Sequence, residues 1–233
     1  MTQPGAIACI GGGGFLTDDL RGVQERFLLT LIPAERRRER PRVLFLGLAH
    51  GDRELAQVKA FKMFSRLGCE IDTLPFFPYE MKRDYAAEAR AADLIYVGGG
   101  NTPAMVAVWR EFGFDRALHD AWQAGTVLSG IGAGANCWFE DYVTDSVPGG
   151  GVRAGLGWVA GTFCPHLDSE AWRQPMLAGV ARAPAYGVRE GGMLIVRPGA
   201  APEFVADKPG VTANVRLPGQ EARELPARDL SSP

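Results

Sequence analysis

The chain has 233 residues, with 25 Lys+Arg against 27 Asp+Glu and a formal net charge of −2 at neutral pH. Hydrophobic residues make up 46% and charged residues 22%, a globular composition without the basic surplus of a nucleic-acid or anionic-membrane binder. The longest apolar runs, such as residues 43–48, fall far short of the ~20 residues of a membrane helix. Residues 1–10 lack a charged segment followed by a long apolar one, so a soluble cytoplasmic protein is expected.

In chain order, residues 6–10 form a strand-like apolar run ending in Gly11-Gly12-Gly13-Gly14, and Leu20, Val23, Phe27, Leu28 and Leu31 follow at helical spacing. The charge run Arg36-Arg37-Arg38-Glu39-Arg40 reads as a solvated connection to a second strand over 43–46. Leu55, Val58, Phe61 and Phe64 predict a helix over 53–67, then a third strand over 69–74 and a loop containing Pro75 and Pro78. Leu94-Ile95-Tyr96-Val97 is a buried-type strand, followed by helices from about Pro103 and Asp115 and a strand at Thr126-Val127-Leu128-Ser129.

Strands separated by long connections point to an α/β fold: a mostly parallel sheet covered on both faces. Beyond residue 150 the apolar runs shorten, with glycine and proline between them, and are expected to form hairpins closing one edge. One domain over residues 1–220 accounts for the pattern, with the polar residues 221–233 as a loosely held tail.

Ligands of such sheets bind beyond the carboxyl ends of the strands. Three glycine-rich turns are placed there. Gly11 to Gly14 has neither a dinucleotide fingerprint nor a P-loop lysine and reads as structural. Gly98-Gly99-Gly100-Asn101 lets backbone N–H groups approach a substrate carbonyl, as an oxyanion hole requires. The third, Gly130-Ile131-Gly132-Ala133-Gly134, has the strand-to-helix spacing of a nucleophile elbow, but its central residue is Gly132. The shape is present without a nucleophile.

Over residues 5–217 the chain resembles the aspartyl dipeptidase (peptidase E) family of serine peptidases. The resemblance rests on Tyr96-Val97-Gly98-Gly99-Gly100-Asn101-Thr102, Gly130-Ile131-Gly132-Ala133-Gly134-Ala135, Cys137-Trp138-Phe139-Glu140, Thr144-Asp145-Ser146 and Phe163-Cys164-Pro165-His166-Leu167-Asp168. It implies a three-layer, doubly wound fold similar to class I glutamine amidotransferases, with an antiparallel edge. It also implies hydrolysis of short peptides with an acidic N-terminal residue. Gly132 then occupies the nucleophile position, His166 the general base, and Glu190 the acid that orients it, with Asp145 competing for that role. The N–H groups of Gly99 or Gly100 and of Ala133 would form the oxyanion hole, with Asn101 beside it. A glutamine amidotransferase subunit is disfavoured because position 132 would need cysteine. A homologue that binds a small acidic peptide or amino acid without cleaving it is the alternative.

No other residue takes over the attack in this reading. Ser129 lies ~10 Å back along an extended strand, and Cys137 is ~1.4 turns into the following helix. Ser146 and Ser169 are remoter candidates. His50 and His119 are expected at the surface, and no set of residues has metal-ligand spacing. The four cysteines, Cys9, Cys69, Cys137 and Cys164, stand 60, 68 and 27 residues apart and read as buried inert thiols. No cofactor, nucleic-acid partner or membrane is expected; the ligand is a small peptide or amino acid, and a homodimer is left open.

Overall fold

The computed structural model describes residues 3–77, 83–180 and 182–231. Pro78 of the expected loop and the final residues of the expected tail lie outside them. Strands β1 (Ile7–Ile10), β2 (Arg42–Leu46), β3 (Glu70–Thr73), β4 (Leu94–Val97) and β5 (Val127–Ile131) alternate with helices α1 (Val23–Thr30), α2 (Glu54–Arg66), α3 (Tyr85–Ala91), and the pair α4 (Thr102–Glu111) and α5 (Phe114–Gln123). The five strands run parallel in the order β1-β5-β4-β2-β3. Their apolar residues alternate between two buried faces, as a doubly covered parallel sheet demands. In β1, Ala8 and Ile10 join Leu28, Met63 and Phe64 under α1 and α2. Ile7 and Cys9 point the other way, into a core with Met105, Trp109, Phe114 and Leu118 of α4 and α5.

Helix α3 was not anticipated, although Asp84 carries its signal: the carboxylate caps the helix by accepting the Ala87 N–H at 2.9 Å. The basic run after α1 is solvated as expected from Arg37 to Arg40, which are exposed, whereas Arg36 is half-buried. Arg36 donates to the carbonyls of Ala92 and Ala124, and Arg38 lies 3.4 Å from the buried carboxylate of Asp93. Those carbonyls end neighbouring elements, so the guanidinium ties the base of the sheet together.

The second half of the chain meets the expectation of hairpins along one edge in part. After the short helix α6 (Ala133–Asn136) come β6 (Phe139–Thr144), β7 (Gly151–Ala154), β8 (Val159–Cys164), α7 (Arg173–Ala178), β9 (Ala185–Val188), β10 (Gly192–Val196), β11 (Glu203–Ala206), β12 (Thr212–Arg216), β13 (Arg223–Pro226) and β14 (Arg228–Asp229). β10 and β11 form an antiparallel pair against β1. Only these two and β14 extend the first sheet beyond β1, giving the order β14-β11-β10-β1-β5-β4-β2-β3. The others build a second sheet, β13-β12-β9-β8-β6-β7, in which β6, β8 and β9 are parallel neighbours. Aromatic burial drives this arrangement: Trp138, Phe139, Phe163 and Tyr186 complete the core shared with α4 and α5, and Phe139 stacks on Phe163 at 4.8 Å.

The segment expected to be a loose tail is likewise paired. β13 lies antiparallel to β12, and β14 lies parallel to β11 with Leu230 N–H bonded to Ala206 O at 2.8 Å. Backbone pairing, with Leu225 and Leu230 packed against the two cores, holds this otherwise polar segment.

Candidate active site

The carboxyl ends of β1, β4 and β5 meet the loop that follows β8. At the end of β5 the chain turns into α6 through Gly132, whose φ of 55° and ψ of −110° are values that residues with a Cβ rarely adopt. Its N–H donates to Ile10 O at 3.2 Å, and its carbonyl accepts from the Ala135 and Asn136 N–H groups at 3.0 and 2.9 Å. The turn is therefore pinned on both sides. A side chain at this position would begin 3.0 Å from His166 Nε2.

His166 leaves β8 through Pro165 with a φ of 53°. Its N–H donates to Gly11 O at 2.9 Å and its carbonyl accepts from Ser169 N–H at 3.0 Å, so the unusual backbone is held by neighbours on two segments. Nδ1 lies 2.5 Å from Glu190 Oε1, between β9 and β10. Burial pushes the Glu190 carboxyl up, but the His166 hydrogen bond and charge, the Ser169 hydroxyl and the charge of Lys208 together outweigh it and hold the group below its ordinary value. An ionised carboxylate only accepts, so Nδ1 donates to it, and in the neutral form of the ring the Nε2 lone pair faces Gly132. Asp168 accepts the Glu190 N–H at 2.9 Å and fixes the acid's backbone.

Gly99 Cα lies 3.9 Å from where a Cβ on Gly132 would stand. Gly98 N–H is taken by Leu46 O and Asn101 N–H by Ala49 O, leaving the intervening amides of Gly99 and Gly100 without a protein acceptor among the described residues. With the first-turn N–H of Ala133, they line a polar cleft of about 180 Å³ that also exposes Asn136, Asp145 and Arg173. These donors suit developing negative charge on a carbonyl oxygen.

Of the two carboxylates considered as the base's partner, Glu190 contacts the imidazole. Asp145 instead pairs across the cleft with Arg173 at 3.3 Å. Asn101 is committed elsewhere. Its oxygen caps α4 by accepting Ala104 N–H at 2.9 Å and its amide donates to Ser146 O at 3.1 Å, so it secures the loop next to the donors without lining the cleft.

The remaining hydroxyls and thiols are occupied away from Gly132. Ser129 Oγ donates to Ile95 O at 3.2 Å, Ser146 Oγ to Gly100 O at 3.2 Å, and Ser169 Oγ to Glu190 Oε1 at 3.1 Å. Cys137 is fully buried, which raises its thiol well above the ordinary value. All four cysteines are free and buried. Among the described residues no group of three or more His, Cys, Asp or Glu could hold a metal, and no helix is long and apolar enough to cross a membrane.

Neither remaining histidine is a free surface residue. His119 packs half-buried against the rings of Trp122 and Trp158, far from this chemistry in the core shared by the two sheets. His50 lies beside the site, against Gly98, and both of its ring nitrogens are buried without a partner among the described residues. Sequence reasoning also passed over Arg173, whose position seven residues after His166 carried no motif.

The sequence model of Peptidase family S51 matches residues 11–202. The chain is 38% identical over 169 residues, 72% of its length and 71% of the relative's, to a Bacillus subtilis (strain 168) protein described as an uncharacterized peptidase, YgaJ. Its fold is similar to that of a peptidase from an acI-B1 Actinobacterium, with a TM-score of 0.76 and 20% identity over 96% of this chain and 95% of that one. A putative peptidase E protein from Listeria monocytogenes EGD-e aligns with a TM-score of 0.64 and 17% identity over 87% and 98% of the two chains. At these identities the solved structures speak to the fold, whereas the family match and the Bacillus relative speak to descent. The chain belongs to Peptidase family S51.

Proposed function

We propose that this protein is a peptidase E-like homologue whose site receives a short peptide with an acidic N-terminal residue, and that as written it does not cleave it. The observation that carries this reading is the placement of His166 Nε2, 3.0 Å from where a side chain on Gly132 would begin, with Nδ1 held by Glu190 at 2.5 Å. A base, its orienting acid and backbone donors surround a position that supplies no nucleophile. Removal of a triad nucleophile leaves ~10³–10⁴-fold acceleration over water at most, from the oxyanion hole and binding.

The polar cleft supports the acidic preference. Arg173, with its side chain only 7% exposed, is the cation in its lining. Glu170 holds its Nε at 3.0 Å and Asp145 a terminal nitrogen at 3.3 Å, and a substrate carboxylate would exchange with the more exposed Asp145, which then accepts from the substrate amino group. A second reading, a natural binder of a small acidic peptide or amino acid, is favoured by the intact pairing of His166 with Glu190 in a site without a nucleophile. Calorimetric titration with Asp-Leu, Asn-Leu and Ala-Leu tests the recognition, while NMR follows the integrity of each dipeptide. Asp-Leu is expected to bind about tenfold tighter than Asn-Leu and to be recovered uncleaved. Equal affinities would remove the acidic preference, and turnover at ~1–10³ s⁻¹ would remove the assignment of Gly132 as a disabling residue.

A further inference from the structure

Gly99 and His166 also line a second cleft, of about 310 Å³, whose other walls share no residue with the polar one. Leu16, Leu55, Ala56 and Ile131 make it largely apolar, and Thr17 and Arg53 supply its polar edge. No carboxylate among the described residues lines it. Lys59, at its margin, is already engaged by Asp18 at 2.9 Å and by Leu16 O at 3.1 Å. Arg53 makes no salt bridge or side-chain hydrogen bond among the described residues.

Arg53 is also the residue that precedes the first turn of α2, and its side chain does not cap that helix. The unpaired N–H groups of a first turn and the aligned peptide dipoles favour an anion there. Glu54, next in sequence, is exposed and outside the lining, so it does not fill that role within the cleft. Burial and the nearby Arg53 charge hold His50 below its ordinary value, so the guanidinium is the cation facing the space. The combination is an apolar chamber with one unpaired cation, adjoining the base on the side away from Asp145 and Arg173.

We propose that this cleft takes the residue on the leaving side of the scissile bond, an apolar amino acid whose free α-carboxylate is held by Arg53 at the start of α2. The assignment rests on the reading above that a short peptide lies across His166. It adds a length rule. Each further residue moves the terminal carboxylate ~3.3–3.6 Å outward, so a dipeptide satisfies Arg53 where a longer peptide places an uncharged amide in its reach.

The test uses the protein as written, with N-acetyl-leucine and N-acetyl-leucinamide as probes followed by backbone-amide NMR. The acid should bind about tenfold tighter than the amide, with saturable shifts at Leu16 and Ala56, and Arg53→Gln should reduce that ratio to below about twofold. Lys62→Gln, an equal charge change at an exposed site on α2, should preserve the ratio. Equal binding of acid and amide, discrimination that survives Arg53→Gln, or no saturable shifts at Leu16 and Ala56 up to the solubility limit would each overturn the assignment. The Asp-Leu and Asn-Leu comparison separates the two readings. Lost acidic preference with carboxylate discrimination intact removes the acidic-peptide reading alone, and the converse removes the assignment of this cleft alone.

Discussion

The Glu190 carboxylate lies directly against the backbone of Gly12, so closely that a Cβ on Gly12 would overlap it. Gly12 cannot retreat, because its carbonyl accepts from Gly191 N–H at 3.1 Å and from Gln24 Nε2 at 3.2 Å. The glycine run after β1 is therefore part of the site's construction, giving the acid room to reach His166.

Gly12→Ala should consequently displace the far end of Glu190 rather than the backbone. The expected loss of stability is small, below about 1 kcal/mol, because a flexible side chain absorbs the overlap. The contact with His166 should be lost all the same. It is read as the disappearance of the downfield Nδ1 proton resonance, and an unchanged resonance in a folded variant would show that Glu190 has another way to reach the ring.

Glu190 also sets an acid limit. Its carboxyl lies below the ordinary value of 4.5 in the folded chain, so its contribution to stability is fully present above that value and is lost as pH falls through the depressed one. The stability difference between the wild-type chain and Glu190→Gln should be level from pH 8 to about 5 and shrink below 4.5. Chemical denaturation at stepped pH measures it; a difference that grows on acidification would contradict the sign.

Glu25 behaves in the opposite sense. It is 0% exposed, and burial raises its carboxyl above the ordinary value, opposed by its own N–H and that of Phe15 and reinforced by the charges of Asp19 and Asp207. The ionised form is then disfavoured by folding, and stability is withdrawn as pH rises beyond 4.5. Glu25→Gln keeps an oxygen for the Phe15 N–H, now bonded at 3.1 Å, and removes the charge. Its melting temperature is expected to exceed that of the wild type by roughly 2–4 °C at pH 8 and to converge on it near pH 4. A lower melting temperature at pH 8 would mean that the buried charge is compensated.

Much of the first 130 residues was legible because β1, β2 and β4 are compact apolar runs, each followed by a helix of 3.6-residue periodicity. The second sheet was not, since the parallel pairings of β6 with β8 and β8 with β9 join segments whose local pattern is that of short hairpins. The glycine at the elbow could be placed from spacing alone. The choice between Glu190 and Asp145 could not, because both are lone acids in loops and only the fold sends one to His166 and the other to Arg173. His50 was invisible for a similar reason: nothing in Leu48-Ala49-His50 shows that the turn after β2 runs beside Gly98.

The decisive substitution is Gly132→Ser. A Cβ at φ 55° and ψ −110° costs ~1–3 kcal/mol, and its 3.0 Å separation from His166 Nε2 requires the ring to give by a few tenths of an ångström. The variant should therefore melt lower than the wild type while remaining folded. Its hydroxyl would stand where Nε2 can take the proton as oxygen attacks the peptide carbonyl, with the Gly99, Gly100 and Ala133 amides facing the resulting oxyanion. Asp-Leu hydrolysis should rise by at least ~10³-fold over the wild-type chain, and His166→Ala in the same background should abolish the gain. A folded Gly132→Ser protein that binds Asp-Leu and cleaves nothing would show that the site has diverged beyond its nucleophile, and the role of binder without catalysis would then stand.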